Sequence, residues 1–564
     1  MLVTSGRVPI PMPARLALQP KPLRLSLRRA SWHFRRNPIL GQRWSSSQRQ
    51  ASEGQLFAYT WLTKSPDEIV SARDSNLWRF HTTNHSLRKI PDDILASLPP
   101  ISASLAQPDN VPVLLVTPNF APWIDPASSF LEQCVNQLFH HAPDLHTLSP
   151  IHAVAAVVDK LPDARVQSGG ALVSGYGQGA SDSEGISLLF TKAENIQGKA
   201  AAPRRIRSSG TEEPALIFSV EASSNTQGAT IGRPIHEVGL RLANTIFVNG
   251  NENTLFGMRW TCDADANRLA LDEYVDLSSC IIKSAATNVH NAFQLPLRPV
   301  SQRRKVISGM GNILRQVAKF ADDDQSDDPM PASSEIEREL PRYIEEYDIV
   351  DQLLSVWALV ETPEIHVPAE FKTLQDRMSY SLRKGGKLHH VMSGGGGWGK
   401  KQGLLSLDPE TSFAESVHRE ELLELARLFE PSADFTPGLP PYLTKEITGE
   451  DLSELSQNAR PGDYVQFFVS VEPGQVKDAS SDYARPQEGS ISYHFGVAAR
   501  SGVPEVQTID GQGKDLVALP NYFGALSERA ITYLQPVNTS MDEGIPESGT
   551  KLDLPGSRVK LNLA

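Results

Sequence analysis

Apolar residues along this chain fall into short runs separated by glycine- and proline-rich breaks, and the period within each run predicts the elements. Val111–Thr117 (VPVLLVT) is a β-branched run ending at Pro118, which predicts a buried strand. In Ser128–Phe139 the residues Phe130, Leu131, Cys134 and Leu138 recur on one helical side, with Ser128 or Ser129 placed to cap the first turn. Ala153–Val158 (AVAAVV) predicts a second buried strand. A strand, helix and strand at these lengths favour a parallel βαβ unit. Further strands are expected at Gly185–Thr191, Ala215–Val220, Asn244–Val248 and Thr254–Trp260; the last two flank Asn249-Gly250-Asn251, a turn signal that predicts a hairpin.

The pattern then changes. Phe320–Pro341 (FADDDQSDDPMPASSEIERELP) replaces apolar periodicity with acid, proline and serine and reads as a linker. Beyond it Ile344, Tyr347, Val350, Leu353, Leu354, Trp357 and Val360 recur at helical intervals, predicting a helix over Tyr343–Val360. Helices are also expected at Ala369–Leu382 and Phe413–Phe429, followed by strands at Tyr464–Val471, Ser490–Ala499, Val503–Ile509 and Ile531–Leu534. The expected fold class is therefore α/β and α+β. A βαβ-containing domain spans 105–300, an acidic linker 301–341, and an α+β domain, helical then β-rich, 342–540. A variable, partly disordered stretch covers 53–104 and a frayed tail 541–564. No solenoid repeat is present in the sequence, and 564 residues suit about two to four domains.

Charge divides the chain more sharply than hydropathy does. Residues 1–52 hold nine arginines, one lysine and no acid. Within KPLRLSLRRASWHFRR, Leu23, Leu27, Ala30 and Phe34 form one helical stripe opposite Arg29 and Arg36. An amphipathic, arginine-rich, acid-free leader is what a mitochondrial import system accepts, since the membrane potential draws its cationic face. Residues 1–52 are thus expected to be a transit peptide, cut near Arg43-Trp44-Ser45, and the mature protein to occupy the matrix. The whole chain carries −12; without those ten cations it has 44 basic and 66 acidic residues, or −22. A body this acidic disfavours bare nucleic acid, whose phosphates require a basic surface. Cys134, Cys262 and Cys280 lack paired spacing, against a disulfide framework or structural zinc. No apolar run approaches the roughly eighteen residues a bilayer demands, so a peripheral membrane contact is the most that is expected.

Two glycine-dense loops are the candidate ligand sites. In MSGGGGWGKKQG the residues Gly394, Gly395, Gly396, Gly397, Trp398, Gly399, Lys400 and Lys401 match most of a phosphate-cradling loop. Lys401 stands where Ser or Thr would reach magnesium, and Leu404–Pro409 is too short to supply the helix whose N-terminus should face the phosphates. What survives is an anion- or backbone-binding loop, weighed against a tight connection that seats Trp398 on the core. The second loop, Gly169–Gly179, offers Gly175, Gly177 and Gly179 beyond a strand ending near Asp159, where open α/β sheets collect ligands; it is otherwise a surface loop. His140, His141, His146 and His152 match no zinc spacing, so no metal is expected. His389, His390, Ser393 and Asp408 would draw a hydrolytic triad, without a GxSxG elbow to fix it.

The ordered series VPVLLVTPNFAPW, SSFLEQCVNQLF, AVAAVV and GGALVSGYGQGASDSEGISLLFT, with its Gly185-Ile186 pair, resembles the amino-terminal part of FIST domains, over about residues 110–260. Those are sensory modules of bacterial signalling proteins and of some F-box proteins, so the resemblance implies a small-ligand-sensing or partner-binding role. Where that family shows a Gly-Cys-Ser/Thr cluster after the second strand, this chain has Val157-Val158-Asp159-Lys160, so no site residue carries over. With GGGGWGKKQGLLSLDP in its second half, the chain also resembles a type of fungal mitochondrial protein, which implies a compartment and no reaction.

The leading expectation is a matrix protein with a ligand-sensing or partner-binding module and no catalytic residue. Its partner would be a small molecule of unknown identity, with no cofactor assigned, or a mitochondrial protein. The competing expectations are an enzyme that holds a phosphorylated substrate through Gly394–Lys401, and an accessory factor of mitochondrial gene expression.

Overall fold

The computed structural model describes residues 57–63, 94–98, 107–140, 150–162, 166–172, 182–201, 215–223, 234–321, 328–347, 354–394, 403–430, 458–471, 490–499, 516–537 and 547–564, with short interruptions inside several of these ranges. Residues 1–52, expected to be a transit peptide, and the strand expected at Val503–Ile509 lie outside them. Described residues are 53% strand against 17% helix, built into large sheets and a six-stranded barrel. The expected α/β and α+β class, with a helical region opening the second half, is thereby corrected to a strand-rich fold.

The largest sheet has thirteen described strands. At its centre Asn110–Val116 and Ile151–Val157 pair in parallel, joined through the helix Ser129–Leu138. Every residue of Ile151–Val157 is buried, because one sheet face meets that helix and the other the main core. Burial on both faces explains a run without alternation. Phe57–Thr63, from the stretch expected to vary, pairs antiparallel with Glu184–Lys192 and with Leu516–Pro520. Ile235–Arg241 pairs with Ile531–Pro536, which in turn pairs with Glu547–Leu552. Strands from 105–300 and from 342–564 therefore hydrogen-bond within one sheet, and Glu53–Ala564 group as one compact unit.

The barrel closes through Arg304–Met310, Ile313–Ala318, Leu405–Leu407, Lys387–Gly394, Val356–Glu361 and Tyr464–Ser470, all antiparallel. Its interior is filled by Val306, Leu314, Val317, Ala358, Leu405, Leu407, Val465, Phe467 and Val469. Two of these strands fall inside the expected linker. The helix expected at Tyr343–Val360 instead begins earlier and stops sooner, at Ser333–Glu346, and Val356–Glu361 is a barrel strand. All six residues of that strand are buried, Trp357 and Leu359 toward the main core and Ala358 and Val360 into the barrel. A two-sided apolar run satisfies helical and strand periods alike.

Two more expectations are corrected. Asn244–Val248 is a turn in which the Thr245 carbonyl accepts from the amides of Val248 (2.8 Å) and Asn249 (3.0 Å), and Leu255–Asp263 pairs with Ile151–Val157 and Arg268–Ala286 instead of closing a hairpin. The described part of Phe413–Phe429 holds short 3-10 turns at Arg419–Glu421 and Leu425–Phe429 around a two-residue strand, where a single helix was expected. The expected helix at Ala369–Leu382 is shorter, Leu374–Arg383, capped by the Thr373 hydroxyl accepting from the Asp376 amide at 3.1 Å.

The end of the chain departs most from expectation. Arg558–Leu563 is a fully buried strand, lying between Val289–Gln294 and Ile491–Val497 in a four-stranded sheet completed by Tyr522–Ser527. It was expected to fray because the last twenty-odd residues are rich in proline, serine and charge. Among the described residues no helix is long and apolar enough to cross a membrane.

Candidate functional site

The four-stranded sheet has two unlike faces. Val559, Leu561 and Leu563, with Tyr493, Phe495, Phe293 and Phe523, point into the main core. Period-two alternation then sends Arg558, Lys560 and Asn562 to the other face, where Lys560 stands opposite His494 on one side and Ala292 on the other. A polar face of this kind ordinarily meets water. Here it is covered, with Arg558 and Lys560 each 3% exposed.

Part of the cover is the chain on either side of the second glycine loop. Lys160 bridges to Leu526, and Leu161 to Ser183. The Tyr522 hydroxyl donates to the Pro162 carbonyl (3.2 Å) while its ring lies 4.5 Å from that of His494. Asp182 forms a buried ion pair with Arg558, and its second oxygen accepts from the Ala499 amide at 2.6 Å. Arg558 also donates to the carbonyls of Val497 and Ser557. Gly524 permits this close approach, since a Cβ there would sit 2.0 Å from the His494 carbonyl oxygen and 2.9 Å from Pro162 Cγ.

Burial sets the protonation of this face. The Lys560 amine is pushed down to about 8 by loss of water around its charge. His494 is held well below its ordinary value by burial first, and by the neighbouring charges of Lys560 and Arg558 second. Asp182 offsets the charge of Arg558. Ser492 donates to Asn562 Oδ1 at 2.6 Å, and Gln294 Oε1 is buried without a described partner. Such a face combines one titrating cation with amide and hydroxyl groups suited to an acceptor-rich small molecule.

The glycine loops themselves are only partly visible. Gly175, Gly177 and Gly179 lie outside the described residues, as do Gly395, Gly396, Gly397, Trp398, Gly399, Lys400 and Lys401. Gly394 ends the barrel strand Lys387–Gly394 opposite Leu405, and a Cβ on it would lie 2.2 Å from the Leu405 side chain. The first described element after that loop is a strand, Leu405–Leu407, where a phosphate-cradling loop would lead into a helix.

A second polar cluster sits where the barrel meets the large sheet. Lys551 donates to Asp408 (2.7 Å) and Glu410 (2.6 Å), and Glu410 also receives Arg241 at 3.0 Å. Burial is the largest single influence and would raise Asp408, but the Lys551 hydrogen bond, the Glu410 amide and the neighbouring positive charge together outweigh it and hold the carboxyl below its usual range. His389 meets the Asp408 carbonyl at 2.9 Å, not its carboxylate, and Ser393 is exposed on the strand. The drawn triad is therefore not assembled, and the cluster acts as a brace between the sheets. Among the described residues no group of three or more His, Cys, Asp or Glu could hold a metal ion.

Neither His494 nor the Arg558–Lys560 pair was singled out from the sequence. Their signal was the alternation in RVKLNL and SYHFGV, which marks strands but not the burial of the polar side. No protein-family model, curated protein or solved structure matches this chain.

Proposed function

We propose that this chain is a ligand-binding protein of the mitochondrial matrix, and that it holds a small monoanion on the polar face of the four-stranded sheet. The observation that supports this reading is the burial of Lys560 on a sheet face it shares with His494, Asn562 and the Arg558–Asp182 pair. A buried charge is costly unless an opposing group or ligand offsets it. A buried ammonium and a face of amides and hydroxyls suit a carboxylate of a few carbons. The matrix address rests on the acid-free, arginine-rich residues 1–52. The role proposed is sensing or carrying, without turnover.

Equilibrium dialysis of labelled lactate against the mature chain tests the reading. Binding is expected at pH 7, is lost in Lys560→Met, and weakens by up to tenfold per pH unit above about 8, where the free amine loses its proton. Absence of lactate binding at pH 7, or binding indifferent to pH and to Lys560→Met, overturns it.

A further inference from the structure

The connection between Ile235–Arg241 and Leu255–Asp263 leaves and re-enters the large sheet beside a single residue. The Val157 carbonyl accepts from the Ala243 amide at 3.0 Å, and the Val157 amide donates to the Thr254 carbonyl at 2.8 Å. Between these anchors the chain projects as a compact loop whose ends lie close together. Its foot is tied to Asp125, whose Oδ1 accepts from the side-chain amides of Asn251 (3.1 Å) and Asn249 (3.4 Å). Its tip is Ile246, Phe247 and Val248, which are 39%, 99% and 49% exposed. Three successive apolar side chains held out in this way add little burial to the fold and mark a contact surface.

We propose that this loop is a peripheral membrane anchor, whose tip of Ile246, Phe247 and Val248 inserts at the headgroup–hydrocarbon boundary of a zwitterionic bilayer. The proposal is independent of the anion site. Three features favour lipid over a pocket on another protein. First, the loop's backbone is largely closed on itself. The Thr245 carbonyl accepts from the amides of Val248 and Asn249, the Asn244 side chain from the Ile246 amide (3.1 Å), and the Asn249 side chain from the Asn251 amide (3.1 Å). The Thr245 hydroxyl donates to the Asn251 carbonyl at 3.3 Å. A segment entering lipid must carry its polar backbone already paired, because no water is present there to pair it. Second, no residue from Leu242 to Asn251 is charged, and Arg241 before them is paired with Glu410. Third, the tip is convex, a phenyl ring between two branched aliphatic side chains at the end of a projection. Acyl chains accept such a shape without a complementary pocket, and the attraction grows with the apolar area inserted. Charge then selects the lipid. Without residues 1–52 the chain carries −22, which an anionic membrane surface repels, so the attachment is apolar and suits a neutral surface.

The test is flotation of Glu53–Ala564, the compact unit of the fold, with phosphatidylcholine vesicles, so that the cations of residues 1–52 contribute no binding. The protein should float with the vesicles and keep doing so as salt is raised. Phe247→Ser should lower its partition about tenfold or more, with the urea midpoint unchanged because the ring is fully exposed. In Phe247→Trp, brominated acyl chains should quench the added indole beyond any quenching of the unsubstituted protein. Replacing part of the lipid by phosphatidylglycerol should weaken binding, most at low salt. Absence of flotation, equal flotation of Phe247→Ser, or binding that requires the anionic lipid overturns the proposal. Self-association in sedimentation velocity that depends on Phe247, without vesicle binding, also overturns it and assigns the tip to a second copy of the chain.

Discussion

His236 Nδ1 lies 2.7 Å from the Tyr533 hydroxyl, and the same hydroxyl accepts from Asn291 Nδ2 at 2.9 Å. Burial holds His236 down to about 4 and pushes the Tyr533 phenol up, so the phenol donates and the neutral imidazole accepts. The hydroxyl thus ties a strand of the large sheet to one of the four-stranded sheet. Tyr533→Phe leaves a buried ring nitrogen and a buried amide hydrogen without this partner, and should cost about 1–3 kcal/mol. Urea unfolding followed by tryptophan fluorescence measures it; no change in midpoint would mean the contact contributes nothing.

Acid should unfold the protein through its buried imidazoles. His236 and His389 are both held down to about 4 by burial, against 6.5 in the unfolded chain. Between those values the unfolded state binds protons that the folded state refuses, so stability falls as pH drops from 6.5 toward 4. Each histidine accounts for up to about 3 kcal/mol of this loss. The pH dependence of the urea midpoint should show the decline, and His236→Gln should flatten part of it.

Arg304 and Glu335 fasten the barrel to its helix. The guanidinium makes paired bonds of 2.7 and 2.8 Å to the carboxylate, and both residues are buried. Glu335→Gln strands a buried charge and should destabilise by about 3–5 kcal/mol, whereas replacing both residues by Met and Leu should cost less than the single change. Thermal unfolding of the three chains compares them, and equal losses for single and double variants would contradict this pairing.

Lys560 should make the protein gain stability in mild alkali. Its folded value of about 8 lies below the 10.5 of an unfolded lysine, so across that window the unfolded chain holds a proton that the folded chain has released. Stability therefore rises with pH, by up to about 3 kcal/mol in total. Lys560→Met should remove this slope between pH 8 and 10, measured as the difference in urea midpoints between the two chains.

The fold was legible wherever one local property decided the outcome. Val111–Thr117 and Ala153–Val158 are apolar throughout because both faces of the sheet are covered, and their parallel pairing follows from the helix between them. Val356–Glu361 has the same two-sided burial but directly follows a helical pattern, and the local period could not separate them. The candidate site was less legible because its cover comes from far away. Arg558 meets Asp182 across 376 residues, and an alternating strand with cations on one side reads equally well as a solvent-facing edge. The glycines of the second loop pointed to the right neighbourhood only in that Pro162 and Asp182, which flank it, rest on this face.

The most direct measurement is an NMR titration of the lysine side chains in the mature chain, with the Lys560 signal assigned by its absence in Lys560→Met. One amine with a midpoint near 8, shifted upward when lactate is added, is the predicted result. A Lys560 midpoint at the ordinary 10.5, unmoved by lactate, would contradict a buried titrating cation on the polar face and the anion site built on it.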